Sequence, residues 1–152
     1  MKRALKRAMV GCLVLGLEGC AASFPTIKPI APPAGHPLFP TTVSSLRPTF
    51  QWEPLNDSTA TYDFILYEGI GNIQTPPRAV GRQVYYREGL TQPRCELEQA
   101  LKPNTEYYWS VRVRRGQTVS PWALYNYDYF TGLGIAMLDN RLFIFKTPKV
   151  EQ

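Results

Sequence analysis

From about Thr41 onward the chain is built of short segments in which apolar and polar positions alternate. Phe50 and Trp52 alternate in one segment, and Tyr62, Phe64 and Leu66 in the next. Val80 to Tyr86 form a more polar third, Cys95 and Leu97 a short fourth. The clearest follows. A period of two turns Tyr107, Trp109, Val111 and Val113 toward a core and Tyr108, Ser110, Arg112 and Arg114 toward solvent, ending at Gly116. A last strand is expected from about Arg141 to Lys146. Clusters of Pro, Gly, Asn and Asp separate the segments, and no long stretch of helical period interrupts them. The pattern predicts an all-β domain over residues 41–149. Its roughly 110 residues suffice for one core and are too few for two.

Ahead of that domain the pattern is different. Lys2, Arg3, Lys6 and Arg7 precede an apolar run from Ala8 to Leu17, the layout of an export signal. The run is about ten residues, half of what a helix needs to cross a bilayer. From Ala21 to Pro40, Pro25, Pro29, Pro32, Pro33, Pro37 and Pro40 stand among small residues, a composition that favours extended chain over packing. Residues 20–40 read as a tether that holds the domain off a surface, at about 3 Å per residue.

The tetrad Leu17-Glu18-Gly19-Cys20 closes the apolar run. It resembles the lipobox of bacterial lipoproteins, in which the Cys thiol is acylated and the bond before it is cut; Glu18 stands where that family usually has a small or apolar residue. The resemblance implies a signal peptide over 1–19, a lipid on Cys20 and membrane attachment through it. Ala21, in place of Asp, is similar to the outer-membrane address of such proteins. Cys12 leaves too short an apolar segment to be the rival site.

Charge follows from this division. Loss of Lys2, Arg3, Lys6 and Arg7 together with Glu18 lowers the formal charge from +5 to +2. A nearly neutral mature chain lacks the dense basic patch that phosphate-backbone binding requires, which argues against a nucleic-acid partner. Arg112, Arg114 and Arg115 are the only basic concentration, read as exposed strand with an acidic partner, lipid headgroups or anionic polymer as the alternative.

Several landmarks within 41–148 resemble a fibronectin type III domain. They are Trp52 at the end of a strand, the turn Leu101-Lys102-Pro103-Asn104-Thr105-Glu106-Tyr107, the segment Ser120-Pro121-Trp122 and the ending Phe145-Lys146-Thr147. The resemblance implies a single Ig-like β-sandwich of about seven strands, with Tyr107 bonding back to nearby backbone as a tyrosine corner. The departure is a long connection at about 116–140, where that family has a few residues. A loop of this length is usually functional or has structure of its own. Residues 122–130 alternate like a strand, and Trp122, Tyr125, Tyr127 and Tyr129 are the candidate binding residues. Leu142 to Phe145 are apolar on both faces, so these aromatics are expected to serve partly as a lid over the sheet, the alternative being a protein or glycan surface.

Catalytic chemistry finds little footing. A Ser or Cys nucleophile needs a base, and the single His, His36, lies in the tether. Zinc needs several Cys, His or acidic ligands at close spacing; no metal or other cofactor is expected. Cys95 reads as a small buried hydrophobe. Gly69-Ile70-Gly71 lacks a third glycine and reads as a turn. Asp63, Glu68, Glu88, Glu96, Glu98, Glu106, Asp128 and Asp139 show no spacing that pairs two in a cleft. The expectation is a non-enzymatic, lipid-anchored envelope protein acting as a protein-binding or scaffolding module, the alternatives being a carbohydrate-binding surface built on the loop aromatics and, from another class, an accessory hydrolase.

Overall fold

The computed structural model describes residues 26–36, 39–71, 79–130 and 136–150; for 126–130 and 136–141 it gives the backbone path. Residues 1–25, with Cys20 and the signal segment, lie outside this description. The described chain is all strand and loop, arranged as a sandwich. One layer is a three-stranded antiparallel sheet in the order β1 (Pro29–Ala31), β3 (Thr49–Trp52), β6 (Arg94–Glu96). The other layer runs β2 (Thr41–Thr42), β11 (Phe143–Lys146), β7 (Glu106–Arg115), β4 (Thr61–Ile70), β5 (Ala79–Leu90), with β8 (Thr118–Val119) also on β7. A hairpin of β9 (Tyr125–Phe130) and β10 (Ala136–Arg141) pairs with itself.

Alternation decides the core. Phe50 and Trp52, Tyr62, Phe64 and Leu66, and Tyr107, Trp109, Val111 and Val113 are all buried between the layers, joined by Cys95, Phe143 and Phe145. Ring contacts tie the layers together, with Phe50 lying 4.7 Å from Phe64 and 5.2 Å from Trp109, while within the larger sheet Trp109 lies 4.9 Å from Phe143. Such tilted pairs add about 0.5–1.5 kcal/mol each beyond area burial. The turn before β7 is locked from two sides. Lys102 N–H donates to the Tyr107 hydroxyl at 3.0 Å. Thr147, buried after β11, accepts from Thr105 N–H at 2.9 Å and donates to the Lys102 carbonyl at 2.7 Å.

The outer face of the large sheet departs from expectation. Tyr108 and Ser110 do occupy outward positions, but both are buried. Tyr108 packs with Ile144, Tyr67 and Leu142, and the Ser110 hydroxyl donates to the Ala123 carbonyl at 2.6 Å. The apolar outer row expected from Leu142 to Phe145 is thus partly covered by its own sheet neighbours.

The Pro-rich segment also differs from the tether expected over 20–40. Ile27 is 3% exposed and belongs to the core cluster, β1 pairs with β3, and Glu53 N–H donates to the Lys28 carbonyl. The chain then crosses to the second layer, where Gly35 N–H donates to the Ile144 carbonyl and β2 pairs in parallel with β11. A Cβ at residue 35 would lie 2.5 Å from Thr41 N and 2.9 Å from the Ile144 carbonyl oxygen, so this crossing requires glycine. The physical reason is that proline fixes an extended backbone, which suits an edge strand as well as a free linker. The packed unit therefore takes in residues ahead of 41, with Ile27 and β1 among them. Ile27→Ala is expected to cost about 2–4 kcal/mol in urea unfolding, the price of emptying a core position. A free tether residue would change stability by less than about 0.5 kcal/mol.

Candidate functional site

The free edge of β7 is shared by two segments. β11 pairs with its first half, Phe143 opposite Trp109 and Phe145 opposite Tyr107. β8 pairs with its last residues, and the chain continues alongside through Ser120 N–H to the Val113 carbonyl and Ala123 N–H to the Val111 carbonyl. Pro121 falls between these two rungs, where an edge position asks for no donor. Ser120 adds a second tie, its hydroxyl oxygen accepting from Val113 N–H at 2.9 Å. The expected insertion at 116–140 thus resolves into an edge segment and the β9–β10 hairpin, which departs after Leu124 and returns before Leu142.

A groove of about 870 Å³ opens beside this edge. One wall is the N-terminal segment, Thr26 to Pro29 with Pro33 and Ala34; the other is Ser120 to Tyr125; Val111 and Phe143 form the floor. Volume and apolar lining are those of a small-molecule or peptide side-chain site. Glu53 and Lys28 face each other across its rim at 3.8 Å, both largely exposed, so the pair contributes little to stability and leaves the rim near neutral.

Two of the four aromatic candidates come together here. Trp122 is half-buried, with the Arg112 guanidinium 4.6 Å from its ring centre and Tyr86 edge-on at 6.4 Å, so it does cover part of the outer sheet face. Tyr125 and Leu124 are each 43% exposed at the groove. Tyr127 and Tyr129 lie on β9, with backbone positions opposite Asp139 and Met137; their side chains, like Cys20, are outside the description. The opposite wall, Ile27 and Ala34, escaped sequence reasoning because it lay in the supposed tether.

Behind Trp122 lies a second feature that sequence reasoning missed. Asp63, fully buried on β4, accepts from Arg112 Nε at 2.8 Å, from Arg114 at 3.0 and 2.8 Å, and from Gly89 N–H at 3.2 Å. Arg114 also reaches Glu88 at 2.9 Å, and Arg115 pairs with Asp57 at 2.7 Å. The basic concentration is therefore paired within the sheet face. Burial pushes the Asp63 carboxyl up, but the hydrogen bonds from Arg114, Arg112 and Gly89 outweigh it and hold it below its ordinary 3.8.

The other carboxylates show the same habit. Glu68 lies between Lys102, at 2.6 Å, and Arg82, at 3.1 Å, and the hydrogen bond from Lys102 does most to lower its carboxyl. Glu96 pairs with Arg94, and Glu98 with Arg87 at 3.5 Å. Cys95 is buried in the core, and desolvation pushes its thiol up to about 11, which leaves it a hydrophobe rather than a nucleophile. His36 bridges to Phe39, their rings 6.0 Å apart. Among the described residues no three of His, Cys, Asp and Glu gather into a metal-holding group.

Compared with known proteins, the chain matches no family model, no curated protein and no solved structure.

Asp63 gives a pH test. A carboxyl lowered on folding contributes stability that is present in full above 3.8 and is lost as pH falls through the lowered value. Asp63→Asn is expected to cost about 2–3 kcal/mol at pH 7, by loss of charge-assisted hydrogen bonds. It should also flatten part of the acid limb below pH 4, while Asp57 and Glu68, both lowered too, keep the rest. Stability measured by denaturant across pH 2.5–7 checks both; an unchanged acid limb would show that the network carries no linked proton.

Proposed function

We propose that the chain is a non-enzymatic, lipid-anchored envelope protein whose sandwich, of the fibronectin type III kind, acts as a binding or scaffolding module. The observation that carries the binding reading is the groove, with its apolar floor and the exposed Tyr125 and Leu124 beside Trp122. Five of the eight carboxylates named from the sequence, together with the Cys95 thiol, support the non-enzymatic reading. Asp63, Glu68, Glu88, Glu96 and Glu98 each sit against Arg or Lys, and the Cys95 thiol is pushed up and buried.

Support for the fold kind lies in the ordered landmarks. Three strands face a larger sheet, Trp52 ends the second strand of the smaller one, and the Tyr107 hydroxyl takes a hydrogen bond from backbone five residues upstream, as a tyrosine corner does. Thr147 closes the same turn from the chain's end. Anchoring rests on Cys20 and the apolar run before it, and the outer membrane is the reading favoured by Ala21.

Two experiments test this. Cells fed a fatty-acid analogue should label the wild-type chain and leave Cys20→Ser unlabelled; a labelled Cys20→Ser protein sinks the anchor. Co-purification from native membranes should return a specific partner with the wild type. The double variant Trp122→Ala, Tyr125→Ala should lose that partner by about 30-fold or more, the scale of a truncated hot spot, with its melting temperature little changed. Retention of a polysaccharide instead would make the surface a glycan site, and a large fall in melting temperature would mark the aromatics as a lid.

A further inference from the structure

The docking of residues 26–36 changes where the groove must sit, given the anchor at Cys20 on which this inference rests. Between Cys20 and Thr26 the chain spans six residues, which cannot reach farther than about 22 Å even at full extension. Thr26, Ile27 and Lys28 are themselves part of the groove wall. The lipidated residue is thus tied by a short leash to one lip of the groove. A domain on a free stalk of residues 20–40 would sample any orientation; this one is held close by the side that carries the exposed Leu124 and Tyr125.

We propose that the groove's open side rests against the bilayer, and that its occupant is the interfacial region of the membrane lipids themselves. The side chains at the opening are of the type that this layer accepts. Trp122 and Tyr125 combine a large ring with one polar tip, which suits the boundary between headgroups and acyl chains, and the exposed Leu124 lies between them in sequence. The charge at the rim is balanced, since Lys28 faces Glu53. Arg112 and Arg114, the cations that would otherwise seek anionic headgroups, are bound to Asp63. The contact is therefore apolar and aromatic, and it needs no anionic lipid. Nor does it need to be strong, because a leash this short raises the effective concentration of the groove at the membrane to the millimolar range.

Trp fluorescence reads this contact directly, because Trp52 and Trp109 are 1% and 0% exposed while Trp122 is at the groove. The full lipidated protein is reconstituted in phosphatidylcholine vesicles, with or without a lipid that carries a spin label just below the headgroup. Flotation first reports whether the protein is membrane-bound. The labelled lipid should quench a component of the emission that is absent in Trp122→Phe, and aqueous iodide should fail to quench it. Replacing a third of the phosphatidylcholine by phosphatidylglycerol, or raising salt, should leave the quenching unchanged. The unshifted emission of the two buried Trp residues checks that Trp122→Phe is folded. A protein that floats while Trp122 remains open to iodide and untouched by the spin label overturns the orientation and leaves the anchor standing. A protein that does not float overturns both, and quenching that grows several-fold with phosphatidylglycerol replaces the apolar contact by a charged one.

Discussion

The architecture turns on how the free edge of β7 is paired. A single continuous partner would have closed the sheet and left the two layers with parallel, sealed margins. Instead β11 covers Glu106 to Trp109 and the segment from β8 to Ala123 covers the remainder, so the β9–β10 hairpin leaves from the middle of an edge. Everything distinctive follows from that division. Trp122 is delivered onto the Arg112 guanidinium, Ala123 is brought to the core margin, and Leu124 and Tyr125 are left exposed where the edge turns away. Val111 and Phe143, on either side of the division, become the floor of a groove.

The buried Asp63 is the electrostatic counterpart of this arrangement. A lone carboxylate taken out of water costs several kcal/mol unless it is paired and hydrogen-bonded. Here two guanidinium groups from β7 and a backbone N–H from the end of β5 satisfy it, so one side chain ties three neighbouring strands. Arg112 then has a second task, because the face it presents is covered by Trp122. The network and the groove wall are therefore linked through a single side chain. At the far edge, β5 is protected by other means. Its pairing with β4 is broken by three register shifts, and it carries Arg82, Arg87 and Glu88, features that twist and charge an edge against strand addition.

What the sequence made legible was whatever depends on local period. The Tyr107–Val113 alternation named the buried face of β7 without error, and the strand pattern at 122–130 found β9. Period alone tells which residues share a face, not whether that face is covered, and so it assigns Tyr108 and Ser110 to solvent although both are buried. Proline misled in a similar way. It announces extended backbone, but whether extended backbone docks depends on a distant vacancy in the core that Ile27 fills. Asp63 had a signal that went unused: a charged residue between Tyr62 and Phe64 on a strongly apolar strand, with Arg112 and Arg114 on alternate positions elsewhere. A carboxylate in that setting needs a cation opposite it, and the chain contained just that pair.

The groove's own composition narrows the manner in which anything is held there. Recognition by strand addition depends on a row of free backbone donors and acceptors along an edge. Both walls are poor in them. Pro29 and Pro33 stand on one side and Pro121 on the other, and each removes an N–H from the lining. Ser120 and Ala123 have already given their N–H groups to β7, and the Ala123 carbonyl is taken by Ser110. A peptide laid along this edge would find few partners for its main chain and would lose its hydration without return. What remains is contact through rings and apolar side chains, which has no direction and little dependence on the sequence of the occupant. That is a surface suited to a broad apolar interface more than to a single extended peptide.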